Sequence, residues 1–306
     1  MADINRSTNS MALPSDVSNE ILQGVQSESA IMRLARRIRL PGQGVTIPVI
    51  TGDPTAAWVA ETGVKPVSNG TPGTKLMSAY KIAVIETFSK EFVRDIPALY
   101  DALVQRLPAA LAGVFDSTVI GATQAPSQTN FDTFAACTAQ SILNANNGTY
   151  LGLVAADADI ASHGGVMNGL ALGAQARALL LTATDTTNRP LFLASANDGV
   201  VDKVLGVSTY FNKNLYKAGT AAVGTDAGTP AIVGIAGDWN QAMYGTVAGV
   251  EISVNDSATL TVGSGDSATT INLWQQNMVA VRAEIEVGFR ANTAAFNLLT
   301  GAVPLS

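Results

Sequence analysis

Hydrophobic and polar positions predict short helices and strands at the start of the chain. Apolar residues recur at helical spacing over residues 27–38, with Ser27 as the predicted N-cap. Residues 45–50 and 80–88 are rich in strand-forming residues, and Pro48 suggests that the first of these strands lies at a sheet edge. We expect the two strands to form a hairpin around a polar segment of roughly thirty residues, which is improbably long unless it docks onto something.

The strongest helical pattern covers residues 89–120. Its apolar residues form a stripe with a period of about 3.6 residues. Asp95 and Pro97 mark the predicted start of this helix, and Gly121 marks its end. Pro108 lies inside the pattern and should kink the helix, because proline removes one backbone hydrogen bond.

The rest of the chain mixes helix and strand patterns. Helices are predicted at residues 131–144, 151–163 and 173–181, with Cys137 on a buried face of the first one. Strand and turn patterns dominate the later part of the chain, and the last long pattern covers residues 272–289. This irregular order favours an α+β fold over a regular alternation of strands and helices.

The composition shows that the chain has few charged residues for its hydrophobic content. Charged residues make up 14% of the 306 residues and hydrophobic residues 47%, whereas an average soluble domain has about 25% charged residues. This balance argues against intrinsic disorder and favours a protein that buries surface against partners. The net charge of −6 provides no global basic surface for binding nucleic acid.

Few residues offer a basis for catalysis or metal binding. One His and one Cys are too few for the common zinc motifs or for a disulfide within the chain. His163 precedes two glycines as in some oxyanion holes, but no GxSxG turn accompanies it, and a P-loop is absent as well. Asp157 and Asp159 lack the other ligands of a calcium loop. We therefore expect a protein that is not an enzyme and needs no cofactor or metal.

The sequence also bears on the cellular compartment. The N-terminus lacks the basic start and apolar run of a signal peptide. No uncharged apolar stretch reaches the ~20 residues that a membrane-spanning helix needs. We therefore expect an intracellular protein without a membrane partner.

Arginines cluster near the N-terminus. Arg33, Arg36, Arg37 and Arg39 contribute four of the 18 basic residues of the chain. Such a cluster can contact an acidic partner surface or nucleic acid. It can equally be a solvated helix face, since runs of charge usually face water.

Several weak motifs follow one another in a particular order. They are Leu13-Pro14 at the start of an arm, Trp58-Val59-Ala60-Glu61 in the hairpin, the long helix, Gly237-Asp238-Trp239 with Tyr244, and a closing strand region at 279–296. In order and spacing, the chain resembles the major capsid proteins of tailed double-stranded-DNA phages, the Hong Kong 97 fold family. The resemblance covers roughly residues 13–300.

The resemblance implies an α+β fold of the Hong Kong 97 type with four regions. Residues 1–44 would form the N-terminal arm and residues 45–88 the extended E-loop hairpin. Residues 89–130 and 272–306 would form the peripheral (P) domain around the long helix, and residues 131–271 the axial (A) domain.

The resemblance also implies a function. The chain would self-assemble as pentamers and hexamers into an icosahedral shell around double-stranded DNA, in the host cytoplasm, and would end up in the virion. Its expected partners are further copies of itself, a portal protein and DNA packaged without sequence-specific binding. A separate scaffolding protein is expected because only a short segment precedes Leu13. Some family members add a decoration protein.

Other functions stay open at this point. An encapsulin-type nanocompartment has the same fold but encloses enzymes instead of DNA. A tail component would be another structural protein of the virion. A surface adhesin is suggested by the segment 218–270, which is rich in Gly, Ala, Thr and Asn.

The residues expected to contact neighbouring subunits lie in the hairpin and the arm. They are Trp58, Glu61, Lys65, Lys75, Arg33, Arg36 and Arg37. A long hairpin with little core of its own becomes stable when it lies across another subunit, and interfaces of this kind bury about 1,600 Å². Some family members join such lysines covalently to asparagine, but neither Lys65 nor Lys75 can be aligned with the cross-linking lysine, so the sequence leaves a cross-link open.

Overall fold

The computed structural model describes most of the chain. The described residues are 25, 28–42, 44–52, 56–59, 64–65, 67, 71–90, 96–143, 148–185, 189–192, 203–221, 228–263 and 268–301. Within these ranges, no helix combines the length and the apolar character needed to cross a membrane.

Helices and strands alternate irregularly along the chain. The helices are α1 (Ala30–Leu34), α2 (Ile96–Val119), α3 (Gly148–Ser162) and α4 (Ala174–Thr182). The strands are β1 (Arg36–Arg39), β2 (Val45–Gly52), β3 (Thr71–Met77), β4 (Tyr80–Ser89), β5 (Thr138–Ser141), β6 (Gly169–Leu172), β7 (Lys203–Val204), β8 (Val207–Phe211), β9 (Ile232–Gly237), β10 (Ala242–Thr246), β11 (Glu251–Asn255), β12 (Thr259–Val262), β13 (Thr269–Asn272), β14 (Met278–Ala291) and β15 (Phe296–Thr300). The predicted α+β class is confirmed.

The first sheet is built around β14. This strand has 14 residues and is buried along most of its length. On one side β4 pairs with it antiparallel over ten residues, from Met278 opposite Ser89 to Val287 opposite Tyr80. On the other side β11 and β10 pair with it in succession, and β1 adds a parallel strand next to β10.

The second sheet has the strand order β5-β15-β9-β6-β8-β7. Side chains alternate between its two faces, as the strand geometry requires. Leu170 and Leu172 of β6 pack with Leu153 of α3 and Leu180 of α4, while Ala171 belongs to the main core. The sheet therefore lies between the two helices and the main core.

The main core joins α2 to both sheets through aromatic rings. Phe115 of α2 meets Phe289 of β14 edge to face, with ring centroids 6.0 Å apart. Phe134 lies 4.6 Å from Phe296 of β15 and 6.0 Å from Trp239 between the ring centroids. Each such pair adds about 0.5–1.5 kcal/mol beyond the area that it buries, so this cluster is a main contributor to the cohesion of the two sheets.

The chain crosses between the sheets twice at one place. A short 3-10 turn, Trp239–Gln241, connects β9 to β10, and a second one, Thr293–Ala295, connects β14 to β15. The two turns bond to each other: the Asn292 N–H donates to the Gln241 carbonyl (3.1 Å), and the Asp238 N–H donates to the Ala295 carbonyl (3.0 Å).

The predicted hairpin has a different second strand. β2 pairs antiparallel with β3, with Val45 opposite Met77, whereas β4 pairs along β14. The expected pairing of residues 45–50 with 80–88 is therefore wrong. The strand β3 was not expected, because its first three residues, Thr-Pro-Gly, are typical of a turn. Both strands of this two-stranded sheet are edges, which explains why Pro48 is tolerated, as predicted.

The arm contains a shorter helix than predicted. Ser29, not Ser27, caps α1, since its Oγ accepts a hydrogen bond from the Met32 N–H (3.0 Å), and Ser27 lies outside the described residues. The predicted helix over 27–38 is wrong beyond Leu34, because the backbone of the next residues pairs with β10 and forms β1 instead.

The helix predicted at 131–144 is also wrong. A 3-10 turn covers Phe134–Ala136, and β5 follows it. The aromatic core and the pairing of β5 with β15 override the local apolar spacing. Cys137 consequently lies after the turn, where its thiol donates to the Thr293 carbonyl (3.3 Å).

The other long helices were predicted well. α2 ends at Val119, two residues before the predicted terminator Gly121, whose φ of +81° suits glycine, and the helix continues through Pro108 without a break. Asp95 lies outside the described residues. The helices predicted at 151–163 and 173–181 correspond to α3 and α4.

Each of the two large sheets contains strands from both the expected A-domain segment, 131–271, and the expected P-domain segment, 272–306. β10 and β11, from the segment 131–271, pair with β14 in the first sheet. β15, from the segment 272–306, pairs with β9 and β5 in the second sheet. Strand pairing therefore interleaves the two segments.

Candidate subunit-contact surfaces

The β2–β3 hairpin exposes large apolar side chains. Trp58 is fully exposed, and Val64 and Val67 are nearly so, at 95% and 89%. Lys65 is exposed beside them, and Glu61 lies outside the described residues. Exposed apolar side chains this close in sequence favour an interaction site, so this hairpin is the first candidate contact surface.

Arg290 of β14 anchors the base of the hairpin. Only 7% of its side chain is exposed. Its Nε donates to the Leu76 carbonyl at the end of β3 (2.8 Å), its Nη1 to Asp132 Oδ1 (2.8 Å) and its Nη2 to the Thr129 carbonyl (2.6 Å). One guanidinium thus holds the hairpin, the first sheet and the loop before β5 together.

Lys75 contributes to the same base. Its Nζ lies 3.8 Å from Asp132 Oδ2, and about half of its side chain is exposed. This predicted contact residue is therefore engaged, loosely, within its own chain. Sequence reasoning missed Arg290 and Asp132, although a charged residue inside the apolar pattern of β14 was a usable signal.

The basic cluster lies on α1 and the edge strand β1. Arg33, Arg36, Arg37 and Arg39 are all exposed. The Arg33 guanidinium lies over the Tyr210 ring, 4.8 Å from its centroid, and Arg37 Nη2 donates weakly to Thr246 Oγ1 (3.4 Å). In the part of the chain that the structure describes, none of the four arginines forms an ion pair, so the cluster can accept an acidic partner.

A groove opens between α2 and β4. It has a volume of about 300 Å³ and a largely apolar lining that includes Tyr80, Val114, Phe115 and Phe131. Val114 is 47% exposed in this groove. Its size and chemistry suit one large apolar side chain.

Helix α3 is apolar on both of its faces. Leu153 and Ile160 are buried against the second sheet, while Tyr150, Leu151 and Val154 are 42%, 57% and 40% exposed on the other side. A helix that is hydrophobic all round is normally buried. The sequence pattern contained this signal, since only two of the 15 residues of α3 are charged, but the exposed face was not predicted.

A further aromatic side chain is exposed just before β14. Trp274 is 70% exposed, and Lys90 Nζ lies 5.5 Å from its ring centroid while pairing with Asp256 Oδ2 at 3.1 Å. These contacts hold the indole in place at the surface.

The Gly237-Asp238-Trp239 segment leads from β9 into the 3-10 turn before β10. The Asp238 carboxylate accepts hydrogen bonds from Asn168 Nδ2 (2.8 Å) and Gln241 Nε2 (3.0 Å), and the Trp239 indole donates to the Gly169 carbonyl (2.9 Å). A Cβ at Gly237 would collide with the Phe296 ring. The motif is therefore a structural joint between the sheets.

The residues with possible catalytic chemistry lie apart from these surfaces. His163 is exposed, and its Nδ1 lies 2.9 Å from the Asp159 carbonyl oxygen. Burial raises the pKa of Cys137 to about 12, so this thiol stays protonated at neutral pH. Among the described residues, no group of three His, Cys, Asp or Glu side chains is placed to hold a metal ion.

Comparisons with known proteins agree with this architecture. The profile described as the phage capsid family matches residues 9–301. The probable major capsid protein gp17 of Mycobacterium phage L5 is 30% identical over 280 residues, which are 86% of this chain and 81% of that protein.

Solved structures show the same fold at lower identity. A chain from Gordonia phage Cozz is 22% identical with a TM-score of 0.68, covering 90% of this chain and 87% of that one. A chain from Mycobacterium phage Cain is also 22% identical with a TM-score of 0.68, covering 91% and 92%. The chain therefore belongs to the phage capsid family, and its α+β architecture is the Hong Kong 97-type capsid fold.

Proposed function

We propose that this chain is the major capsid protein of a tailed phage, and that its copies assemble as pentamers and hexamers into an icosahedral shell around double-stranded DNA. Family membership supports this proposal, because relatives carry that name. The observation that carries it is the hairpin with the fully exposed Trp58, since large apolar side chains exposed on a surface favour an interaction site.

In the proposed shell, the hairpin of one subunit lies across the next. Trp58, Glu61 and Lys65 contact the neighbour, with Trp58 entering the apolar groove between α2 and β4. A buried tryptophan removes about 150–250 Å² from water, which corresponds to roughly 4–6 kcal/mol before the cost of ordering the hairpin. Lys75 supports the base of this contact.

The arm and the second sheet supply further proposed contacts. Arg33, Arg36 and Arg37 pair with acidic groups of a neighbouring subunit. The exposed face of α3, around Leu151, packs against the next copy within a ring. Contacts between unlike surfaces of identical subunits close into rings when the rotation is right, which is the arrangement that pentamers and hexamers require.

The regional names follow from this proposal. We assign α2 and the first sheet to the P domain, the second sheet with α3 and α4 to the A domain, and the β2–β3 hairpin to the E-loop. Assembly in the host cytoplasm involves a separate scaffolding protein and a portal protein, and a decoration protein is an optional addition. In this scheme the chain functions through contacts with neighbouring subunits rather than through catalysis.

The test is imaging of particles formed by the purified protein. Sedimentation and negative-stain electron microscopy are expected to reveal closed shells with five-fold and six-fold rings. Particles from infected cells are expected to contain DNA, whereas a cargo of enzyme would identify a nanocompartment. A protein that stays monomeric under all assembly conditions would contradict the proposal.

The hairpin contact has its own test. Trp58→Asp is expected to abolish shell formation while leaving the melting temperature of the free subunit unchanged, because the side chain is fully exposed. The matched control is Trp58→Phe, which keeps an aromatic ring and is expected to assemble. Normal shells from Trp58→Asp would exclude this role for the hairpin.

A further inference from the structure

A buried carboxyl group lies where the arm, the long helix and the second sheet meet. Asp116, in the last turn of α2, is fully buried. Its Oδ1 lies 2.5 Å from Ser29 Oγ, and its Oδ2 accepts a hydrogen bond from the Ala30 N–H (3.2 Å). Asn212, in the segment after β8, donates to the same Oδ2 (3.1 Å). One side chain therefore fastens the start of α1 and this segment to α2.

The carboxyl group has no counter-ion in the described part of the chain. Charged residues on the elements packed against it are Glu28 and Arg33 around α1 and Lys213 beside Asn212, and all three are exposed. The Arg33 guanidinium is turned to the Tyr210 ring instead. A buried charge without a partner is unfavourable, so the contact is most stable when Asp116 is neutral.

Most of the hydrogen bonds at this junction can be kept when Asp116 is neutral. A protonated Oδ1 can donate to Ser29 Oγ, which has a second lone pair for the Met32 N–H (3.0 Å). The Oδ2 atom keeps both of its donors, Ala30 and Asn212. The Ser29 hydroxyl, which donates to the ionised Oδ1, gives up this acceptor when the proton is added, and this cost is set against that of a buried carboxylate without a counter-ion.

We propose that protonation of Asp116 locks the arm helix α1 onto α2, and that its ionisation loosens the arm. The device is a proton-controlled latch within one chain, and it does not depend on the function proposed above. In a shell it would make the position of the arm respond to pH between the acidic range and neutrality.

The direction of the effect follows from the pKa. Burial raises the pKa of Asp116 to about 7, although hydrogen bonds from Ser29, Ala30 and Ile31 act in the opposite direction. When the arm undocks, the carboxyl meets water and its pKa returns toward about 3.9. Docking therefore takes up a proton between these two values, so the docked arm weakens as the pH rises toward 7 and changes little above that.

Amide hydrogen exchange of the full-length, unassembled subunit tests the latch. Protection of the amides of α1, corrected for intrinsic exchange rates, is expected to fall by up to about 100-fold between pH 5 and pH 8. Protection of α3 serves as an internal reference and is expected to stay constant. A change of less than about threefold in α1 of the wild-type protein would overturn the proposal, whatever the variants do.

Two matched variants separate the latch from general effects of charge. Asp116→Asn keeps the shape and the hydrogen bonds of the protonated group, so α1 is expected to remain protected at both pH values. Asp157→Asn removes the same charge from the exposed face of α3 and is expected to keep the wild-type response. If Asp116→Asn folds and still loosens with rising pH, another group is responsible and the proposal fails.

Discussion

Replacing Arg290 by methionine is expected to loosen the base of the hairpin. Methionine keeps much of the apolar stem but removes every donor. The carbonyls of Leu76 and Thr129 then lose the guanidinium, and among the described residues Asp132 keeps the Ala291 N–H (3.1 Å) and the distant ammonium group of Lys75. Asp132 is only 17% exposed, so water replaces the lost partner poorly.

The size of the effect can be worked from these contacts. A charge-assisted hydrogen bond such as the one between Arg290 and Asp132 contributes about 1.5–3 kcal/mol, and each orphaned carbonyl costs about 1 kcal/mol. The sum is about 3.5–5 kcal/mol, within the usual cost of breaking a buried ion pair. A loss of this size removes a large part of the ~5–15 kcal/mol that stabilises a typical folded protein.

Urea unfolding of the unassembled subunit, followed by circular dichroism, measures this loss. The control is Arg282→Met in the same strand, because Arg282 is 52% exposed and its Nε pairs with Glu284 Oε1 of its own strand (3.0 Å). Glu284 is only 11% exposed, but it keeps Lys81 Nζ at 3.0 Å when Arg282 is replaced, so the control is expected to lose clearly less stability than Arg290→Met. Equal losses in both variants would refute the idea that Arg290 holds three segments together.

Two further predictions concern the connection between the sheets at Gly237 and the arm. Gly237→Ala is expected to cost about 1–3 kcal/mol in the same unfolding assay, because the new Cβ meets the Phe296 ring. The control is Gly42→Ala, which is expected to change stability little because there is open space around Gly42. Equal stability of the two variants would contradict the packing argument. Replacing Arg33, Arg36 and Arg37 together by alanine is expected to slow assembly measured by light scattering, more strongly at low salt than at high salt. An unchanged yield at both salt concentrations would instead identify a solvated surface.

Local periodicity predicted the elements whose contacts are close in sequence. α2, α3 and α4 follow from apolar stripes and end signals such as Gly121. Strand pairing could not be predicted in the same way, because β14 gains its neighbours from segments up to about two hundred residues away. The helix expected at 131–144 failed for this reason: distant aromatic rings and β15 decide the conformation of that segment.

The candidate contact surfaces were predicted only in part. The exposed hairpin followed from a segment too long and too polar to fold on itself. Asp116 and Arg290 were missed, since the value of a buried charge depends on which distant groups surround it. Both residues stand in apolar surroundings in the sequence, and this was the only local signal of their role.

The paired crossings between the sheets have a mechanical consequence. A single linker would act as a hinge, whereas two neighbouring links that are bonded to each other resist bending and twisting together. A load applied to the second sheet therefore passes through Asp238 and Asn292 into β14. We expect each subunit to respond to pressure from within a shell as one stiff plate, so that curvature must be accommodated where plates overlap.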